Sequence, residues 1–263
     1  MGVVRGVLLF LLTWTLSSCC PEEKSSLTLV QYNVGVFDKH DSSGTEVIAR
    51  AVKEMGADAV TLNELDSCAV RTGGEYQLEA FARSMGGWNH HFAPAMPFQG
   101  GAYGVGIASD PSLKIVRTDK VALPRMNGYE PRAMSVVEYE NFILASAHLD
   151  LTLEPQLAQV KVINHYMDSI YRDADKPIFI GGDFNCEPGS EPIVMMEKTW
   201  TLLSPVAYTY PSDEPRKCID YIFVRPQGRK IIVRRAEVPS GLESVGLDIA
   251  SDHLPVTVTL EIE

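Results

Sequence analysis

Lys176-Pro177-Ile178-Phe179-Ile180-Gly181-Gly182-Asp183-Phe184-Asn185 runs three apolar residues into a double glycine and then into two polar residues. The apolar run reads as a buried strand, and Asp183 and Asn185 stand where that strand ends. Upstream, Pro155 opens a long helix whose apolar residues Leu157, Val160, Ile163, Met167 and Ile170 recur every three to four positions. Downstream come a short helix over 191–197 and strands over 219–224, 231–238 and 255–262.

The N-terminal half has the same texture. Strands are expected over 27–32, 58–62, 103–109, 113–123, 133–139 and 142–147, and helices over 46–55 and 76–85, stopped by Gly56 and by Gly86-Gly87. His91-Phe92 and the turn at Gly100-Gly101 lie between them as a connection. Strands and helices interleave with no linker, so the chain reads as one α/β domain. Interleaving alone fits a doubly wound sheet as well as a layered sandwich.

Polar residues recur at the ends of these apolar runs, where an open sheet presents its ligands. They are Asn33, Glu64, His148, Asp183, Asn185, Asp220, Asp252 and His253. Singly, each has a plain structural explanation. Asp183-Phe184-Asn185 suits an Asx turn, and a lone histidine such as His148 is more often a satisfied core residue than a ligand. Together they are harder to dismiss, because a charge beside a buried strand costs free energy unless it is paired or bound to metal.

In this order, Tyr32-Asn33, Asn63-Glu64-Leu65, Ala147-His148-Leu149-Asp150, Gly182-Asp183-Phe184-Asn185, Ile219-Asp220-Tyr221-Ile222-Phe223 and Ser251-Asp252-His253-Leu254-Pro255-Val256 resemble the endonuclease/exonuclease/phosphatase superfamily. The resemblance covers residues 27–263. It implies a four-layer α/β/β/α sandwich, with two mixed β-sheets packed face to face and the site at one end. It also implies metal-assisted in-line hydrolysis of a phosphate ester with Mg²⁺ or Mn²⁺, one ion or two. The metal residues would be Asn33, Glu64 and Asp252, with Glu64 principal. Asp183 would orient or deprotonate the attacking water, and Asn185 would hold a phosphate oxygen or that water. His253, aligned by Asp220, and His148 would donate hydrogen bonds to the phosphate. Arg132 is a candidate substrate contact with Glu130 beside it. Arg71 reads first as a surface ion pair, and Asp150 as a turn or a supporting residue.

The first twenty residues differ in kind. Arg5 precedes an apolar run over 7–16, too short to span a bilayer comfortably, and Leu16-Ser17-Ser18-Cys19 resembles the lipobox of bacterial lipoproteins. Residues 1–18 are then a signal peptide, 19–26 a tether lipidated at Cys19, and 27–263 the domain. That predicts an exported protein of the bacterial cell envelope held to a membrane by its lipid, with a plain secretory signal as the alternative. Cys20, Cys68, Cys186 and Cys218 match no zinc spacing, and export would permit a Cys186–Cys218 disulfide, with buried free thiols as the plainer reading.

The formal net charge is −11. Such a field repels a polyanion at a distance, although Arg216-Lys217 and Arg234-Arg235 form local basic pairs. A small-molecule, nucleotide or phospholipid-headgroup ester is therefore favoured over DNA or RNA, and a monomer is the default. A binding lipoprotein on the same fold is the alternative of another class, but it would be expected to lose Glu64, Asp183 or His253. No G-x-S-x-G elbow supports a serine hydrolase, and Cys186 has no convincing histidine partner in the sequence.

Overall fold

The computed structural model describes residues 1–2, 26–39 and 44–263. The expected signal peptide, the lipidation site Cys19 and most of the tether lie outside the described residues. Among the described residues, no helix is long and apolar enough to cross a membrane.

The described residues form twelve strands and five α-helices in the order β1 (Leu27–Asn33), α1 (Gly44–Glu54), β2 (Ala59–Ser67), α2 (Gln77–Ser84), β3 (Asn89–Phe98), β4 (Gly101–Ser109), β5 (Ile115–Leu123), β6 (Arg132–Tyr139), β7 (Ile143–His148), α3 (Leu153–Ile170), β8 (Ile178–Asp183), α4 (Glu191–Glu197), β9 (Thr201–Leu202), β10 (Asp220–Arg225), β11 (Ile231–Glu237), α5 (Leu247–Ala250) and β12 (Val256–Ile262). They form two six-stranded sheets, ordered β11-β12-β1-β2-β4-β3 and β5-β6-β7-β8-β10-β9. Both sheets are mixed: β1 with β2 and β7 with β8 run parallel, and the other pairs run antiparallel.

Alternation along the strands divides the core into layers. Ile178 and Ile180 point toward α3 and α4, where Val160, Ile163, Met167, Ile193 and Met196 meet them. Phe179, between them, points the other way, into a layer shared by Leu29, Val256 and Val258 of the first sheet and Leu144, Ile222 and Val224 of the second. On the far side, Val47, Ile48, Val52, Leu78 and Phe81 of α1 and α2 cover Tyr32, Leu62 and Leu65. This is the expected four-layer α/β/β/α sandwich. Central strands are buried on both faces and so read as continuous apolar runs; burying each large aliphatic side chain stabilises the fold by about 1.5–3 kcal/mol.

Departures from the sequence reading have local causes. The segment expected as a connection around His91-Phe92 is the ten-residue strand β3, despite Pro94 and Pro97. It is an edge strand paired only with β4, so a missing amide N–H costs little there. Helix α3 begins at Leu153 rather than at Pro155, because the first-turn N–H groups need no intrahelical acceptor. Strand β2 continues past Leu62 to Ser67, with a register slip against β4 between Leu62 and Leu65.

That slip surrounds a polar clamp between the sheets. The Asn63 side-chain oxygen accepts from Gln31 Nε2 at 2.6 Å and from the Asp183 backbone N–H at 2.8 Å, while its nitrogen donates to the Ala147 carbonyl at 3.0 Å. Thr61 Oγ1 donates to Gln31 Oε1 at 2.6 Å, which orients the Gln31 amide. A Cβ at Gly181 would run into the Thr61 side chain, so glycine permits this approach. Replacing Asn63 with Ala would leave buried donors and an acceptor unpaired in both sheets. It should destabilise the protein by about 3 kcal/mol, read as a lower urea midpoint at unchanged m-value. A midpoint within error of wild type would refute the clamp.

Candidate active site

One end of the sandwich opens into a cleft of about 690 Å³ whose lining includes Glu64, Arg132, His148, Asp183, Asn185, Asp252 and His253. Asn33, His148 and Asp183 end their strands, Glu64 sits at the register slip within β2, and Asp220 begins β10 opposite Asp183. Ser251 ties the 251–253 loop to β1 by donating to the Asn33 carbonyl at 2.7 Å. Of these site residues two hold left-handed backbone, Glu64 at φ 59° and Asn185 at φ 50°. For non-glycine residues such conformations cost free energy and tend to occur where function requires them.

Asn33 is central. Its Nδ2 donates to Glu64 Oε1 at 3.1 Å and to Asp183 Oδ2 at 3.0 Å, and lies 3.4 Å from His253 Nε2, while its Oδ1 accepts from the Gly35 amide. In this arrangement Asn33 turns its nitrogen, not its oxygen, to the carboxylates it aligns. His253 Nδ1 lies 2.8 Å from Asp220 Oδ2, and its Nε2 lies 3.6 Å from Asp183 Oδ2. Tyr210 packs against the His253 ring at 4.7 Å.

Burial by itself would push the His253 imidazole down. Asp220 first and Asp183 next outweigh burial and lift it to about 10, so His253 is a cation with an N–H facing the cleft. Burial pushes the Asp183 carboxyl up to about 7 against the attraction of His253, with Asp220 adding to the rise. Asp183 is thus poised to take up a proton near neutral pH. Burial also raises Glu64, and neighbouring Asp252 raises it further. His148 moves the other way: burial, then Arg132, then His253 hold it well below the usual imidazole range, so it is neutral.

Glu64, His148 and Asp183 bring one ligand atom each within 4.8 Å of one another, as do Asp183, Asp220 and His253. The second trio is already engaged in its own hydrogen bond, whereas crowded, partly desolvated carboxylates at Glu64 and Asp252 offer the hard oxygens that suit Mg²⁺ or Mn²⁺.

Several supporting residues carried only a weak signal in the sequence. Gln31 and Asn63 are polar residues in buried stretches of β1 and β2, which is the mark of an internal clamp. Gln156 Nε2 donates to the carbonyls of Asp150 and Asn185, and Gln159 Oε1 accepts from the Asp150 amide, so two glutamines three apart on α3 hold both loops that follow β7 and β8. Asp150, fully buried, accepts from the Thr152 and Tyr129 amides, and so serves both as a turn residue and as a support for the loop carrying Tyr129 and Glu130. Arg71 forms a bidentate pair with Asp66 at 2.7 and 2.8 Å and stacks on Phe98, as an ion pair rather than a free phosphate contact. Cys186 and Cys218 are buried free thiols, not a disulfide. Burial pushes the Cys186 thiol up to about 12, which disarms it as a nucleophile.

The sequence matches the Endonuclease/Exonuclease/phosphatase family over residues 30–253. Among solved structures, an endonuclease/exonuclease/phosphatase from Bacteroides vulgatus superposes with a TM-score of 0.75 at 16% identity, covering 91% of this chain and 100% of that one. A family protein from Bacteroides thetaiotaomicron gives 0.74 at 17% identity, with 90% and 95% covered. A mannosyl-6-phosphatase from the same organism gives 0.73 at 18% identity, with 89% and 99% covered. These likenesses are of fold. No curated protein matches the sequence.

The raised His253 and Asp183 values set a pH dependence. The His253 contribution to stability is complete below its unfolded value near 6.5 and is lost as pH rises through about 10. The contribution from Asp183 is complete below 3.8 and is lost as pH rises through about 7. Stability of the metal-free protein should therefore fall with rising pH across both windows. Asp220→Asn should weaken the proton affinity of His253 at least about tenfold, measured by NMR titration of its ring proton. An unshifted His253 titration would show that Asp220 is not what holds the charge.

Proposed function

As the chain belongs to the endonuclease/exonuclease/phosphatase family, we propose that it is an exported, metal-dependent phosphoesterase acting on a phosphodiester of small-molecule, nucleotide or phospholipid-headgroup type. The observation that carries this reading is the meeting of Asn33, Glu64, Asp183 and His253 from distant parts of the chain. Asn33 reaches two carboxylates and an imidazole within 3.4 Å.

Asp183 receives a proton from the attacking water, and its raised proton affinity suits that role at neutral pH. As the water oxygen bonds to phosphorus, the bond to the leaving oxygen opposite it breaks. His253, charged and aligned by Asp220, donates to a non-bridging oxygen as negative charge grows there. His148 and Asn185 donate from the other side of Asp183. Glu64, held by Asn33, and Asp252 would hold a Mg²⁺ or Mn²⁺ ion, one or two, which supplies charge neutralisation to the phosphoryl group and its leaving oxygen.

The electrostatics favour a compact substrate. Five carboxylates line the cleft (Glu64, Glu130, Asp183, Glu187 and Asp252) against Arg132, Lys217 and the His253 cation, and Arg132 is paired with Glu130 at 2.8 Å. One divalent ion would cancel that local surplus, so the repulsion of a polyanionic strand rests on the formal net charge of −11 of the whole chain. The mannosyl-6-phosphatase of like fold favours a second reading on the same machinery, a sugar phosphomonoester.

Asp183→Ala and His253→Ala should each reduce Mg²⁺-supported cleavage of bis-p-nitrophenyl phosphate at least about a hundredfold, and chelation should abolish it. Undiminished turnover in either variant removes that residue from the mechanism, and faster cleavage of DNA or RNA than of small esters overturns the substrate class. For the envelope location, Cys19→Ala should abolish labelling by a palmitate analogue in cells; persistent labelling would refute the anchor.

A further inference from the structure

Arg132 opens β6, the strand beside β7, whose last residue is His148. Its side chain is only 5% exposed. Arg132 Nη1 lies 3.0 Å from His148 Nδ1 and 2.8 Å from Glu130 Oε1. A guanidinium carries hydrogens on every nitrogen and accepts none. The His148 Nδ1 facing it must therefore offer a lone pair. A neutral imidazole has one N–H, so that hydrogen resides on Nε2.

We propose that Arg132, anchored by Glu130, is a positioning residue that fixes His148 as the Nε2–H tautomer, making it a permanent hydrogen-bond donor to the substrate rather than a proton source or a metal ligand. At Nε2 one neighbour, the Asp183 carboxylate, accepts such a hydrogen, and the other, the Asn185 amide, is a donor that opposes it. Asn185 Nδ2 lies 3.1 Å from His148 Nε2 and also donates to the Leu149 carbonyl at 3.1 Å, which orients the amide with its nitrogen toward His148. Two donors then face each other beside Asp183, whose Oδ2 is 3.5 Å from Nε2. An oxygen accepting from both relieves that mismatch, and a non-bridging phosphoryl oxygen is such an acceptor. Because Nε2 keeps its hydrogen, His148 drops out of the Glu64–His148–Asp183 trio as a cation ligand, leaving the ion to the carboxylates.

The charged groups facing His148 are Arg132 from β6, Asp183 from β8, Glu64 from β2 and the His253 cation from the loop before β12. The two cations each disfavour a second proton on the ring.

The tautomer is independent of turnover, although the kinetic consequence rests on the phosphoesterase reading. The test is long-range ¹H–¹⁵N NMR on the full chain labelled at histidine, with the His148 signals assigned by their loss in His148→Asn. Wild type should show an unprotonated Nδ1 and a protonated Nε2. Arg132→Met should admit the Nδ1–H form, and Arg132→Lys, which keeps a cationic donor, should retain the wild-type pattern. On bis-p-nitrophenyl phosphate, Arg132→Met should lower kcat about a hundredfold at little-changed KM, and Arg132→Lys should recover to within about tenfold of wild type. A protonated Nδ1 in wild type overturns the proposal even if no variant folds, as does an unchanged pattern in Arg132→Met. If no phosphate ester is cleaved, the functional reading fails while the NMR result still decides the tautomer.

Discussion

The Asn63 carboxamide is the contact on which the site depends. Its oxygen receives hydrogen bonds from Gln31 in its own sheet and from the Asp183 amide in the other, and its nitrogen reaches the Ala147 carbonyl. Hydrophobic packing between sheets is non-directional and would tolerate small slides. A buried amide with fixed donors and acceptors does not, because each slide leaves polar groups unpaired in a dry interior. The clamp therefore converts a layered sandwich into a defined juxtaposition of strand ends, with Asn33 and Glu64 from one sheet meeting His148, Asp183 and Asp220 from the other.

Charges gathered at that junction are balanced unevenly, and the imbalance is what gives the side chains different chemistry. Two histidines within reach of the same Asp183 oxygen are driven to opposite states. His253, with Asp220 at 2.8 Å behind it, is a cation. His148, with Arg132 at 3.0 Å behind it, is neutral. One residue type thus supplies a charged donor on one side of Asp183 and an uncharged donor on the other, the difference being set by the partner of Nδ1. Asp183 between them is raised by its burial, and Glu64 with Asp252 leaves negative charge suited to a hard cation.

Much of the fold was legible in order and in kind. The apolar runs at Leu27–Tyr32, Phe142–Ala147 and Ile178–Ile180 are strands, and the three-to-four spacing from Leu157 to Ile170 is a helix face over the second sheet. Strand β3 was hidden because His90, His91, Pro94 and Pro97 break strand composition, and only its edge position makes them tolerable. Two-residue β9 and four-residue α5 are too short to carry a period at all.

By itself, the sequence determined which residues end the buried strands, and in what order. That was enough to point to Asn33, Glu64, His148, Asp183, Asn185, Asp220, Asp252 and His253, since polar side chains beside apolar runs are costly and conspicuous. Only the tertiary structure decided who partners whom. Gln31 and Asn63 became a clamp, Arg132 took His148 rather than open solvent, Asn33 turned its nitrogen to the carboxylates, and Cys186 and Cys218 stayed free. Proton affinity, tautomer and hydrogen-bond direction depend on desolvation and on neighbours tens to hundreds of residues away, and no local pattern encodes them.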